Sequence, residues 1–389
     1  MDLKKQIKVS DLVRRPATKK PGTRRFPETA KKFRGLSGRR RREIVGLKVG
    51  ASQLAAARVA NNGSPKVLQV AREPMPPGIV GGGEVRSIPA LGSALDEFFT
   101  KYSLPRRGVR LGVATNRIGV RAFDMAGVDD DRQLANAVRF RAHEAVSIPI
   151  DQAVLDYHVA TEVVDASGAI NRRIVLAAAY RESIDRFTAA CRDAKIELLG
   201  IDLEAFALLR AVAPQAQSGD GPRAAVIAVT VGHDRTTLAI SDGDVCDFTR
   251  VLEWGGSVLT GAIARALQIP LPEAEEVKLA LALDADPTDD DDRTAAARKA
   301  VGHELQGLAR ELVATLHFYQ SQPDSLAIGE ILVAGGTTRM PGFIEELERV
   351  TRVTVRPADP LTRVAVADSV GEREDLASLA VAIGLGVER

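Results

Sequence analysis

Apolar positions in this chain fall in short β-branched runs broken by glycine, alternating with longer segments whose apolar residues recur at helical spacing. Val45–Val49, Leu54–Val59 and Val67–Ala71 read as three strands, with turns at 50–52 and 61–64. A helix follows from about Ile88 to Tyr102, because Leu91, Leu95, Phe98 and Phe99 share one face, and strand Val109–Thr115 completes the unit. The rhythm then changes: strand Val120–Met125, helix Asp131–Val146, strands Val154–Val164 and Arg173–Ala179 about a turn at 165–171, and helix Ser183–Ala194. Strand Leu198–Asp202 and helix Ala205–Ala213 resume the earlier pattern, so the intervening segment predicts an inserted subdomain. The polar, breaker-rich stretch PQAQSGDGPR, 214–223, marks a lobe boundary.

Beyond it the chain begins again in the same way. Strand Val226–Val231, a turn at 232–235, strand Thr236–Ser241 and strand Val245–Leu252 form a second three-stranded meander. Both meanders make their first turn directly after Val-Gly, which predicts a duplicated fold. The division predicted is a basic tail (1–43), a first lobe in two parts (44–115 and 198–223) around an insert (116–197), a second lobe (224–370), and a C-terminal helix (371–389) packing back on the first lobe.

Charge changes the picture at one end. Of the 389 residues, the first 43 hold 16 Lys and Arg against 4 Asp and Glu, so a total formal charge of +2 conceals a basic arm on an acidic body. With prolines at 16, 21 and 27 and no apolar periodicity, the arm is predicted to be disordered and to meet an anionic membrane surface or an acidic protein. Nucleic acid is disfavoured, because only Phe26 and Phe33 interleave the charges. Cys191 and Cys246 are too few and too scattered for a disulfide framework or a zinc site. No stretch reaches the roughly 20 apolar residues of a membrane span, and a secretory signal is lacking, so a cytoplasmic location is expected.

Tight glycine turns suit phosphate binding, since backbone N–H groups can approach oxygens closely where no Cβ intervenes. Either hairpin alone is weak support for a ligand. Further on, VAGGTTRMPGF gives a buried strand, a turn at Gly335 and Gly336, Arg339, and a helix start that suits an adenosine and its phosphates. EWGGSVLT places Gly255 and Gly256 before another helix, and Glu275 and Lys278 stand three apart on one helix face, able to reach ribose hydroxyls together.

In this order the motifs resemble the actin-like ATPase superfamily and, within it, the type IV pilus assembly PilM family, a relative of the division protein FtsA. The resemblance runs from about Ile44 to Val387 and rests on REPMPPGIVGGGEV, FRAHEAVSIPIDQAVLDYHV, DLEAFALL, GGSVLTGAIA, AEEVK, LHFYQSQ and VAGGTTRMPGF in combination. It implies an α/β fold of two lobes around a nucleotide cleft, with a strand-helix-strand-strand subdomain inserted in the first lobe. It also implies ATP or ADP as ligand and a scaffold role at the inner face of the cytoplasmic membrane. The implied partners are the cytoplasmic peptide of a bitopic PilN-like protein and pilus motor ATPases; a homo-oligomer is a further expectation, and the sequence leaves the oligomeric state open. Asp156 and Tyr157 are peptide-groove candidates by location.

The nucleotide residues that the resemblance carries over are Lys48, Gly50, Ser52, Gln53, Gly232, Thr236, Gly255, Gly256, Glu275, Lys278, Gly335, Gly336 and Arg339, with Glu204 at the water-orienting position. The departures are informative. Relatives carry an aspartate in each phosphate hairpin to hold hydrated magnesium, whereas this chain has Lys48 and Thr230, and Ala51 replaces a serine. A pseudo-ATPase is therefore expected, with an active ATPase of the same machine as the alternative. Lys48 is expected either to replace part of the metal's charge at the phosphates or to pair with Glu253 or Glu204. An FtsA-like polymerising adaptor is the third expectation, weakened because no amphipathic helix follows the last predicted one before Arg389.

Overall fold

The computed structural model describes residues 43–128, 130–164, 169–213, 224–243, 245–286, 288, 290–322, 325–371 and 375–388. The basic tail up to residue 42 and the linker 214–223 lie outside them, and Glu43 opens the first strand with its carboxylate on Arg58 at 2.5 Å.

In chain order the first lobe contains β1 (Glu43–Val49), β2 (Gln53–Ala60), β3 (Lys66–Pro74), the short pair β4 (Val80–Gly81) and β5 (Glu84–Val85), α1 (Ile88–Lys101) and β6 (Arg107–Val113). The insert comprises β7 (Ile118–Ala126), α2 (Asp131–Ala145), β8 (Ala153–Val164) and β9 (Ile170–Tyr180). The chain returns through α3 (Arg181–Asp193), β10 (Glu197–Leu203) and α4 (Glu204–Val212). The second lobe holds β11 (Ala224–Val231), β12 (Thr236–Ser241), β13 (Cys246–Leu252), α5 (Gly256–Leu267), α6 (Leu271–Ala280), α7 (Asp292–Gln320), β14 (Ala327–Ala334), α8 (Phe343–Thr351) and β15 (Val355–Pro357). Last come β16 (Ala365–Val366) and α9 (Ala380–Gly386).

The duplication predicted from the two Val-Gly turns is visible in the strand orders. One sheet runs β10-β6-β1-β2-β3-β16 and the other β13-β12-β11-β14-β15. In each, an antiparallel meander is extended on its first strand by two later parallel strands: β6 and β10 beside β1, β14 and β15 beside β11. These central strands are buried along most of their length, with no clean alternation, as expected where both faces are covered. The insert is a separate three-stranded sheet, β7-β9-β8, whose core of Leu134, Val138, Ala142, Ile174 and Leu176 joins it to α2.

Two short helices occupy the space between the lobes. α4 is buried at every position and lies against Ala228 and Ala239 of the second sheet; α9 lies against Ala55, Ala57 and Val59 of the first. Small residues make this approach feasible, because the main chains come close enough to exclude a side chain. A Cβ on Gly384 would stand 1.8 Å from the Ala207 carbonyl oxygen, and one on Gly46 would stand 2.0 Å from that of Ala382. The apolar run LAVAIGLGV is thus a buried wedge, and its α-helix spans only Ala380–Gly386 after a turn of 3-10 helix, shorter than the sequence pattern suggests.

The acidic loop before α7 has a structural role at its far end. Asp291 caps the helix by accepting from the Thr294 N–H at 2.7 Å, and Asp290 ion-pairs with Arg298 at 2.6 Å. The capping and the long buried stripe from Ala297 through Leu305 and Leu312 to Tyr319 hold this 29-residue helix against the second sheet.

The insert touches the second lobe where Arg173 of β9 faces Asp247 of β13 at 3.8 Å. Burial pushes the Asp247 carboxyl up to about 6, with repulsion from Asp242 adding and Arg173 opposing. A carboxyl that titrates higher in the folded than in the unfolded chain favours folding at low pH, and that contribution is lost as pH rises through the folded value. A carboxyl displaced this far from its ordinary range is worth at most about 3 kcal/mol, which partial exposure and screening reduce to about 1 kcal/mol. Asp247→Asn is therefore expected to stabilise the protein at pH 7.5 and to have little effect near pH 3, below the ordinary value of the carboxyl. Thermal melts of the two proteins at both pH values check this; an equal or larger gain at the acid end would contradict it.

Candidate nucleotide cleft

A cleft of about 420 Å³ opens between the two sheets, and both phosphate-sized hairpins point into it. The β1–β2 turn is closed by the Gly50 N–H donating to the Gln53 carbonyl at 3.0 Å, and the β11–β12 turn by the Gly232 N–H donating to the Arg235 carbonyl at 2.8 Å. The same bond at the same place in both meanders follows from the duplicated topology.

The three glycine motifs of the second lobe form one cluster around Gly232. Its carbonyl accepts from the Gly256 N–H at 2.9 Å and from the Thr337 hydroxyl at 3.3 Å, while the His233 carbonyl accepts from the Ser257 N–H at 2.7 Å. Gly335 sits at φ 109°, and a Cβ there would lie 2.2 Å from the Val231 carbonyl oxygen, so both its backbone conformation and its packing demand glycine. Gly255 is excluded from larger residues in the same way, 2.4 Å from the His233 carbonyl oxygen.

At the far side, Lys278 is buried and reaches Glu275 at 2.7 Å, the Thr260 hydroxyl at 3.0 Å and the Gly256 carbonyl at 3.3 Å. Burial would raise the Glu275 carboxyl, but hydrogen bonds from Lys278 and Thr260 outweigh it and hold it below the usual range. The pair is thus a fixed, charged edge, able to accept from one sugar hydroxyl and donate to another.

Lys48 projects from β1 into the cleft and its ammonium lies 3.4 Å from the carboxylate of Glu204, which occupies the first turn of α4. Of the two acids the sequence offered as its partner, Glu204 is the one engaged; Glu253 accepts instead from Asn116 at 2.6 Å.

Most of the residues singled out in the sequence line this cleft together: Lys48, Gly50, Ser52, Gln53, Glu204, Gly232, Gly256, Glu275, Lys278, Gly335, Gly336 and Arg339. Two do not. Thr236 is fully buried with its hydroxyl donating to the Trp254 carbonyl at 2.8 Å, so Thr237 and Thr230 supply the threonines of the cleft wall. Gly255 packs beneath the hairpin. Arg235, Asp234, Thr337 and Gly83 also line the cleft and went unmarked, because nothing in their sequence spacing distinguishes them from turn residues.

The carboxylates near the hairpins do not form a divalent-cation site. Asp202 is fully buried and ion-paired with Arg210, Glu204 is paired with Lys48, and Asp234 accepts from the Gly82 N–H at 2.9 Å. Among the described residues no group of three or more His, Cys, Asp or Glu could hold a metal ion. Magnesium takes oxygen ligands, and position 48 offers it an ammonium.

A second concavity, about 680 Å³, lies between the insert and α3. Its wall includes Tyr180, with the Arg117 guanidinium 4.2 Å from the ring centre, and Asp151, Arg181 and Asp185. Asp156 and Tyr157 are on β8, at the edge of the insert sheet, half-buried and outside this groove; Tyr157 packs on the insert core. Among the described residues no helix is long and apolar enough to cross a membrane.

Two matching sheets about a cleft, a glycine hairpin from each, and an insert on the first lobe define a protein of the actin-like ATPase fold. The family described as Type IV pilus assembly protein PilM matches residues 46–389, and the chain belongs to that family. A solved chain from a PilM-PilN type IV pilus biogenesis complex is 27% identical with a TM-score of 0.76, covering 89% of this chain and 98% of that one. The chain is also similar to cell division protein FtsA of Pseudomonas aeruginosa, 24% identical over 358 residues, with 84% of this chain and 85% of that protein covered. MreB 5 of Spiroplasma citri bound to AMPPNP, 12% identical with a TM-score of 0.51 over 92% and 95% of the two chains, shares the fold alone.

Proposed function

We propose that this chain is a cytoplasmic scaffold of a type IV pilus assembly machine, peripheral to the inner face of the cytoplasmic membrane. It binds the cytoplasmic N-terminal peptide of a bitopic PilN-like protein and connects it to pilus motor ATPases, holding a nucleotide in its cleft with little turnover. The observation that carries this reading is the likeness, over 89% of this chain and 98% of the other, to the chain of the PilM-PilN complex. The groove between the insert and α3 is the proposed peptide seat, since Tyr180 and Arg117 give an aromatic and a cationic contact on one wall. Asp156 and Tyr157, on the neighbouring edge strand, would meet a peptide that adds to the sheet as a further strand.

Nucleotide binding is supported by the shaped cleft and by a shared fold with a protein solved bound to AMPPNP. Low turnover is supported by Lys48, which replaces an expected metal-binding carboxylate and engages the acid at the water-orienting position.

Titrating the folded protein with the cytoplasmic N-terminal peptide of a bitopic PilN-like protein tests the scaffold reading. Binding is expected, weakened about tenfold by Tyr180→Ala; absence of binding would sink the reading. Phosphate release from ATP with magnesium is expected to be no faster than in Glu204→Ala, and a clearly faster rate would favour the active ATPase.

A further inference from the structure

Arg235 closes the second phosphate hairpin and lines the nucleotide cleft, yet it is only 8% exposed and its Nε and Nη1 have no hydrogen-bond partner. The guanidinium lies under the β4–β5 glycine hairpin of the other lobe. A Cβ on Gly82 would stand 2.7 Å from its Nη2, and one on Gly83 would stand 3.0 Å from its Nε. Both glycines have left-handed backbone, φ 68° and 70°. The glycines of that hairpin therefore make room for a cation at the cleft wall.

The adjacent acid does not neutralise it, because Asp234 is turned to the Gly82 N–H at 2.9 Å. Arginine cannot shed its proton, so a guanidinium buried with two unpartnered nitrogens is costly until an acceptor reaches it. On the opposite hairpin, Lys48 also lines the cleft, its ammonium 3.4 Å from the Glu204 carboxylate, a pair that a phosphate would have to share. The donor set is that of an anion site, with N–H groups where a hard cation would need oxygens.

We propose that this cleft takes the polyphosphate of a nucleotide without a divalent cation, the Arg235 fork and the Lys48 ammonium supplying the positive charge that a metal supplies in a carboxylate-bearing cleft. The proposal rests on the nucleotide reading above and sharpens it. A forked guanidinium matches two phosphate oxygens at once, and free ATP, more negative than its magnesium complex, suits two cations better. Magnesium then competes with the protein for the same oxygens.

The test is calorimetric titration of the full chain with ATP in EDTA and in excess magnesium, with thermal melts alongside. ATP is expected to bind in EDTA at least as tightly as in excess magnesium. Arg235→Met is expected to weaken ATP binding in EDTA by about ten- to a hundredfold, the loss of a charged, forked hydrogen bond. Its ligand-free melting temperature is expected to equal or exceed that of the parent, since a buried unpaired charge has been removed; a structural arginine would lower it. Arg235→Lys, which keeps the charge and loses the fork, serves as the second variant and is expected to fall between. Binding that requires magnesium, or that is unaltered by both Arg235 substitutions, overturns the metal-free site and leaves the nucleotide reading standing. No binding of ATP or of inorganic tripolyphosphate in either buffer overturns both.

Discussion

Arg210→Met is expected to destabilise the protein by about 3–5 kcal/mol, the usual cost of stranding one member of a buried ion pair. Arg210 and Asp202 are 3% and 0% exposed at the side chain, and the pair joins the end of β10 to the body of α4. Arg210 also donates from Nε to the Gly384 carbonyl at 2.9 Å, so one guanidinium fastens the return strand, α4 and α9 together. Without it the Asp202 carboxylate keeps, among the described residues, its local bond from the Leu203 N–H at 2.7 Å. Because α4 begins with Glu204, loosening this helix also moves the acid that faces Lys48. Urea denaturation provides the measurement, and the double variant Arg210→Met/Asp202→Leu is expected to recover most of the loss, since it leaves no orphaned charge. A single-variant loss below about 1 kcal/mol would mean that the pair is not buried as described.

Gly384→Ala is the second substitution with a large expected effect. The new methyl would stand 1.8 Å from the Ala207 carbonyl oxygen and 2.6 Å from its carbon, and both are main-chain atoms of a buried helix. No side chain can rotate away to make room, so α9 and α4 must separate. Overpacking ordinarily costs about 1–3 kcal/mol. A clash with a fixed backbone at the junction of both lobes belongs at or beyond the upper end. The variant is expected to unfold at markedly lower urea concentration and to lose ATP binding with its fold, because the same two helices set the spacing of the sheets that flank the cleft. Gly371→Ala, with nothing within 4 Å of the added methyl, is the matched control and is expected to stay within about 0.5 kcal/mol of the parent. Equal stability of the two variants would refute the close approach.

Much of the fold was legible because its signals are local. β-branched runs between glycine turns specify the meanders, and the repeat of Val-Gly at Val49-Gly50 and Val231-Gly232 marks two copies of one unit. A strand-helix-strand-strand insert was legible from a change in element rhythm, whereas the helix that follows it, α3, packs Phe187 and Ala190 into the first-lobe core; the Glu275–Lys278 contact was legible from its three-residue spacing. Thr236 and Thr237 show where such reading stops. Adjacent strand residues face opposite sides, and β12 is buried on both, so polarity gives no sign of which threonine meets the cleft; the hairpin register decides for Thr237.

Neighbouring residues alone specify the elements, the duplication and the glycine turns. Three features emerge only from the folded chain: Lys48 meets Glu204, Arg235 is a buried cation under a glycine hairpin from the other lobe, and the last helix is a wedge between sheets. All three share one cause. Each depends on close approach between segments far apart in the chain, about 150 residues in each of the first two cases, where neither periodicity nor turn chemistry carries information.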